Sequence, residues 1–259
     1  MSHHVLVIGG HGKIAQLLTP LLLRRSWTVT SMIRSQDQVA DIERLDVDKS
    51  GKLNVFVHSI EDVTAQEHAA TILEKVNPDY IVFSAGAGGR GGPDRTLKID
   101  RDAAINFVKT ASVTSSIARF VLVSYNGSRR TAAPWWDEAE WDQYNRSVNN
   151  GSESTYYQAK ITADEFLHDI ALNSESMTGI SLRPGVLTEA AAGGVELGKT
   201  SGVQGTASRK TVAQVISALL AAPDVQSGWI DLLDGNEDID RAVQKVVEDR
   251  VDTAEGESC

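Results

Sequence analysis

Val5-Leu6-Val7-Ile8 leads without a break into Gly9-Gly10-His11-Gly12, and no other stretch narrows the fold as far. Four apolar residues in a row suit a strand buried on both faces. The glycines that follow let the backbone turn sharply and pass close to a bound group. Lys13-Ile14-Ala15 then opens a segment in which Ile14, Leu17, Leu18, Leu21 and Leu22 share one helical face. Strand, glycine turn and helix start are the parts of a dinucleotide-binding turn. The unpaired N–H groups of the helix start and its partial positive charge would face a pyrophosphate. A small residue at Ala15 lets the helix pack close to the strand. The spacing Gly9-x-x-Gly12-x-x-Ala15 departs by one place from G-x-G-x-x-G. Gly9, Gly10, His11, Gly12, Lys13 and Ile14 are the expected contacts of this turn, with His11 a loop residue rather than a catalyst.

The rest of the chain alternates in the same way. Strands are predicted at Thr28–Ile33, Leu53–Val57, Tyr80–Phe83, Phe120–Val123, Gly179–Leu182 and Trp229–Leu233. Helices are predicted between them: from Ser35 as a cap to about Leu45, Thr64–Val76 stopped by Asn77-Pro78-Asp79, and Leu97 to about Ser112. Three more follow at Thr155–Leu172, Thr211–Leu220 and Asp238–Val247. Repeated strand–helix units imply right-handed crossovers and a doubly wound α/β fold with a parallel sheet covered on both faces. Residues 128–152 read as an inserted loop rich in Trp, Asn and Ser. Residues 184–206 read as Gly-rich and irregular. The irregular pieces follow strands four, five and six, at the carboxyl ends where open α/β sheets bind ligands. The chain is expected to form one domain over residues 1–247, with a small substrate region at about 184–247. Residues 248–259 are expected to be a disordered polar tail.

Composition excludes several classes. At 259 residues the chain can bury a substantial core, and 41% hydrophobic with 23% charged residues is ordinary for a globular protein. A net charge of −10 argues against nucleic acid as a partner, which would need clustered Lys and Arg. No apolar run approaches membrane-spanning length, and the first residues lack the pattern of a secretory signal. The lone cysteine, Cys259, rules out an internal disulfide and gives no pocket that would make it reactive. A cytoplasmic protein is expected, as a monomer or homodimer. The six histidines show no metal-ligand spacing, so no metal is expected.

Several residues could carry chemistry. Arg34 ends the second strand, where an Asp or Glu would hold the ribose 2′-hydroxyl of NAD. An arginine there suits the 2′-phosphate of NADP instead. Ser84, Ala85 and Gly86 end the fourth strand with almost no side chain, which lets backbone lie against a cofactor. Tyr156 and Lys160 stand four apart and share a helical face. A nearby ammonium would lower the phenol's pKa, so Tyr156 could pass a proton to or from a carbonyl oxygen. Ser124 ends the fifth strand and could bond a substrate carbonyl or steady the tyrosine. Trp135, Trp136 and Trp141 either anchor the insertion or form part of a lid, the anchor being favoured.

Together these residues resemble the short-chain dehydrogenase/reductase superfamily in its atypical branch. The matching stretches are Gly9-Gly10-x-Gly12-x-x-Ala15, Arg34–Gln38, Phe83–Gly89, Ser124, Tyr156–Asp164 and Leu182-Arg183-Pro184-Gly185. The likeness runs from about residue 4 to 247. It extends to a fungal group of NAD(P)-binding proteins related to biliverdin reductase B and NmrA-like regulators. It implies a Rossmann-type fold and an NADP(H) cofactor held also by Ser59, Ile60, Pro184, Gly185 and Lys160. It implies Tyr156 as acid/base, Lys160 lowering its pKa, and Ser124 orienting a small-molecule substrate. Where many members carry an Asp to meet the adenine, this chain reads His58-Ser59-Ile60-Glu61. The leading expectation is NADP(H)-dependent oxidation or reduction of a small carbonyl or hydroxyl compound. A cofactor-sensing regulator without turnover, and an epimerase or isomerase, are the alternatives.

Overall fold

A computed structural model describes residues 2–46 and 50–257. The first strand shows why the sheet is double-sided. In β1 (His4–Ile8), Val5 and Val7 enter one hydrophobic core, while Leu6 and Ile8 enter the other. All four are fully buried. Each such side chain stabilises the fold by about 1.5–3 kcal/mol relative to exposure. The same alternation continues where Val82 and Val121 face the first core and Phe83 and Leu122 the second.

The helices and strands follow in order. α1 (Lys13–Arg24) leads to β2 (Thr28–Ile33), a short 3₁₀ turn at Gln36–Gln38, α2 (Val39–Glu43) and β3 (Lys52–Val57). α3 (Gln66–Val76) ends on Asn77, which takes the left-handed conformation that closes a helix. β4 (Tyr80–Phe83) is followed by α4 (Gly92–Thr96), a π-helical stretch over 97–103, and α5 (Ala104–Ser112). β5 (Arg119–Val123), α6 (Glu138–Tyr144), a second π-helical stretch over 145–152 and α7 (Ser154–Leu172) come next. The chain then forms β6 (Thr178–Pro184), β7 (Val186–Thr188), β8 (Gly194–Gly198), β9 (Thr206–Ser208), α8 (Arg209–Ala221), β10 (Gly228–Gly235) and α9 (Ile239–Glu248).

Eight strands make one sheet in the order β3-β2-β1-β4-β5-β6-β10-β8. All pairings are parallel except β10 with β8. The direction of winding reverses between β1 and β4, which opens a crevice at their carboxyl ends. This is the doubly wound α/β architecture expected, Rossmann-like in its order.

Four local expectations change. Residues 184–206 are not irregular: β7 pairs with β9, and β8 joins the main sheet, antiparallel to β10. Short strands interrupted by glycine carry too little period-two pattern to be read from the chain. The expected helix after Ser35 divides into the 3₁₀ turn and α2, and Ser35 supplies no side-chain cap. The insertion contains α6 and a π-helical stretch, and Trp136 and Trp141 are buried against Ala133 and Val203. Trp135 and Trp136 donate their indole N–H groups to the Thr200 carbonyl, so these tryptophans anchor the insertion. Finally, the polar tail is ordered as far as residue 257, with Thr253 and Ala254 buried. The Arg129 guanidinium donates to the carbonyls of Thr253 and Glu255, which ties the tail down. Cys259 lies outside the described residues.

The strongest organiser of this half of the molecule is Arg183 on β6. It is fully buried and lies over the Trp229 ring at 4.0 Å. It donates to Asp231 at 2.8 Å and to the carbonyls of Ser128 and Asn126 at 2.8 and 2.9 Å. Replacing it strands a buried carboxylate and two carbonyls. Arg183→Met is expected to lower unfolding stability by about 3–5 kcal/mol in urea titration. Asp231→Leu added to it is expected to restore part of that loss.

Candidate functional site

The glycine turn is built by close approach. Gly9 has a φ of +83°, and a Cβ there would lie 2.7 Å from the Ala85 backbone. A Cβ on Gly10 would meet the Ser31 hydroxyl at 1.9 Å. The turn after β1 therefore touches the segment after β4 at Gly9 and β2 at Gly10, because neither glycine has a side chain. The Gly12 N–H donates to the Gly9 carbonyl at 2.8 Å, which closes the turn, and α1 starts directly after it. Ser84 donates its hydroxyl to the Ile8 carbonyl at 3.1 Å and so locks the two strand ends together.

A cavity of about 250 Å³ lies at this crevice. Gly9, His11, Gly12, Arg34, Ser59, Ile60, Ser84, Ala85 and Gly86 all line it. Gly10, Lys13 and Ile14 do not: Gly10 packs under β2, Ile14 faces the core and Lys13 pairs with Glu189 at 2.6 Å. The cavity fits a dinucleotide in kind. It has a glycine cradle that a Cβ would fill, a helix start beyond it, and the Arg34 side chain at its wall.

Sequence reasoning missed Gln38, Glu61 and Arg95 at this cavity. Arg95 donates twice to Glu61 Oε1, at 3.0 and 2.8 Å, and also to the Ala87 carbonyl at 3.0 Å. It clamps the loop after β3 to the loop after β4, and its guanidinium holds the Glu61 carboxyl below the usual range. Arg95 sits in the five-residue α4 and Glu61 in a single 3₁₀ turn, both too short for a periodicity that would mark a contact. His11 is held by Asp41 at 3.1 Å and by Gln38 at 3.3 Å.

A second, larger cleft of about 610 Å³ lies beyond β5. Ser124 and Tyr156 line it together with Tyr125, Asn126 and Tyr144, and so do Pro184 and Gly185, which were expected at the cofactor and lie away from the first cavity because β6 ends beyond β5. β4 and β5 are neighbouring strands, so the cavity and the cleft follow each other along one sheet edge. The insertion lines the cleft through Gln143, Tyr144, Ser147 and Val148, so it serves as a wall as well as an anchored element.

Lys160 lines neither space. It is buried, and its ammonium donates to the Val123 carbonyl at 2.8 Å. Its charge acts on Asp100, a residue the sequence reading passed over. Asp100 is buried, accepts the Ala87 N–H at 2.9 Å, and has its carboxyl pushed up by desolvation. The expected lowering of the Tyr156 pKa does not occur. Burial pushes the phenol up, and the nearby Asp100 and Asp164 add to the effect. Tyr156 is thereby held in its protonated form. Ser124 also differs from expectation: its hydroxyl donates to the buried Asp164 at 2.5 Å rather than facing the cleft as a donor. Among the described residues no group of His, Cys, Asp or Glu could hold a metal ion, and no helix is long and apolar enough to cross a membrane.

Known proteins agree with this geometry. A family model described as NAD(P)H-binding matches residues 9–223. The chain belongs to the NAD(P)H-binding family. It is 33% identical to a UPF0659 protein of Schizosaccharomyces pombe over 243 residues, 92% of each chain. It is 27% identical to the uncharacterized sugar epimerase YhfK of Bacillus subtilis, over 93% of this chain and 99% of that one. Among solved structures, a candidate NAD-dependent epimerase/dehydratase of Bacillus halodurans superposes with a TM-score of 0.73 and 25% identity, covering 94% of this chain and all of that one. Membership of the NAD(P)H-binding family makes a nicotinamide nucleotide the cofactor.

Gly9→Ala is the sharpest probe of the cavity. Both the positive φ and the approach to Ala85 forbid the methyl group. Nucleotide binding measured by calorimetry is expected to fall at least tenfold, with the helical circular dichroism retained.

Proposed function

We propose that the protein is an NADP(H)-dependent oxidoreductase of the atypical short-chain type, acting on a small carbonyl or hydroxyl compound. It would work as a single catalytic unit whose substrate region is built from residues after β6. The observation that carries this reading is the placement of a protonated Tyr156 in a cleft that follows the cofactor cavity along the same sheet edge.

Gly9, Gly12 and the start of α1 would hold the pyrophosphate, with Ser84 to Gly86 against the ribose. Arg34 would take the 2′-phosphate through its planar fork. When bound there, the reduced cofactor would supply a hydride. Tyr156 donates its phenolic proton to the carbonyl oxygen as that oxygen gains charge, and an alcohol results. A phenol pushed upward by burial suits this reductive direction, because the donor is already loaded. Lys160 braces the end of β5 through Val123 and balances the charge of Asp100 near the phenol.

Tyr156→Phe is expected to lower NADPH-dependent turnover of a carbonyl panel by about 10²-fold or more, within the range of a lost acid catalyst. NADPH affinity should hold. Unchanged turnover would remove Tyr156 from the reaction. For the cofactor, Arg34→Glu is expected to invert the preference from NADPH to NADH, read as the ratio of the two dissociation constants.

A second reading is supported by the two relatives described as epimerases. An epimerase would retain its nucleotide through the reaction and return it unchanged. No net NADPH consumption, with isomerised product and tightly held cofactor, would favour it.

A further inference from the structure

Three consecutive residues line the cleft after β5, and each donates a side-chain hydrogen bond away from it. Ser124 donates to Asp164 Oδ2 at 2.5 Å. Ser128 donates to the same oxygen at 2.7 Å, and a carboxylate oxygen can only accept. Tyr125 donates its phenolic hydrogen to Asn149 Oδ1 at 2.9 Å. The orientation of that amide is fixed, because Asn149 Nδ2 donates to the Gly127 carbonyl at 2.8 Å. Asn126 donates from Nδ2 to the Val203 carbonyl at 2.7 Å. Asp164, Asn149 and Asn126 are all buried, so water does not compete readily for these bonds. Lone pairs on Ser124 Oγ, Tyr125 Oη and Asn126 Oδ1 are left to serve the cleft.

We infer that this cleft selects substrates carrying a hydroxyl next to the reacting carbon, that is, α-hydroxy carbonyl compounds and the vicinal diols they form on reduction. The inference rests on the cleft being the substrate site proposed above. A carbonyl oxygen needs a donor, and Tyr156 supplies it, its ring centred 5.2 Å from that of Tyr125. Ser124 cannot polarise that carbonyl while its hydrogen lies on Asp164. A neighbouring substrate hydroxyl, by contrast, brings a hydrogen that Ser124 or Tyr125 can accept. Burial raises the Tyr125 phenol, so its hydrogen stays on the bond to Asn149 across the neutral pH range. A simple ketone or mono-alcohol would leave these acceptors without a partner and desolvated, which costs affinity.

The test uses the full-length protein loaded with NADP⁺, titrated with butane-1,2-diol and with butan-2-ol, binding being followed by ligand-observed NMR. In parallel, kcat/KM with NADPH is measured for 1-hydroxybutan-2-one and butan-2-one. The diol is expected to bind about tenfold tighter than the mono-alcohol, and the hydroxyketone to lead the ketone by a similar factor. Ser124→Ala and Tyr125→Phe, each checked for retained NADP⁺ binding and melting temperature, are expected to narrow the diol-to-mono-alcohol ratio. A ratio near one in the parent protein, or a ratio that neither variant moves, overturns the inference whatever the turnover. Diol-selective binding that both variants narrow, with neither ketone reduced, overturns the reductase reading instead and leaves this assignment standing.

Discussion

A charged side chain with no access to water holds the half of this protein around the second cleft in place. Arg183 is buried between β6 and β10, and burying an isolated guanidinium would be prohibitive. It is tolerated because the donors are satisfied in one plane by Asp231, the Ser128 carbonyl and the Asn126 carbonyl, with Trp229 across its face. Two of those acceptors belong to the loop after β5. The buried cation therefore fixes the path of the segment that presents Ser124, Tyr125 and Asn126 to the cleft. Trp229 also receives Arg129, which ties the insertion to the C-terminal segment. Sheet, insertion and tail meet on one tryptophan.

The half around the first cavity rests on the opposite strategy. There the constraint is the absence of side chains: Gly9 and Gly10 let β1 and β2 close up against the start of the crevice, and Arg95 and Glu61 clamp its outer loops. Backbone supplies the surface on one side, and buried polar side chains place the groups on the other. The two halves share the carboxyl edge of β4 and β5. Tyr156 on α7 thus lines the cleft beyond β5, while Ser84 to Gly86 line the cavity beyond β4.

Much of this was legible in the chain. The apolar run before Gly9 and the alternation of strand and helix identified the architecture, and the strand-end positions of Arg34 and Ser84 fall on the cavity at the crevice. Each depends on local chemistry: period-two burial, glycine freedom, helix-start polarity. Tyr156 and Ser124, singled out beside strongly patterned elements, both line the second cleft. What was missed lies in single turns, short helices and loops. Gln38, Glu61, Arg95 and Asn126 have no periodic signature, and their roles arise from neighbours far along the chain. β8 was missed for a related reason, because a five-residue strand between glycines is recognisable only by its pairing with β10. The tail was misread because its polar composition hides Thr253 and Ala254, which are buried only once Arg129 reaches their segment.

The sequence by itself determined the doubly wound sheet and the glycine turn that opens its crevice, because strand burial and glycine turns are properties of short stretches. Only the tertiary structure decided the electrostatics. Four residues of helix separate Tyr156 from Lys160, and that spacing suggested an activated phenolate. The folded environment turned the lysine onto the Val123 carbonyl and surrounded the phenol with low dielectric and two buried carboxyls. The same packing sent the Ser124 hydrogen to Asp164. Protonation and hydrogen-bond direction depend on what comes within a few ångströms, and that is set by strands and helices distant in the chain.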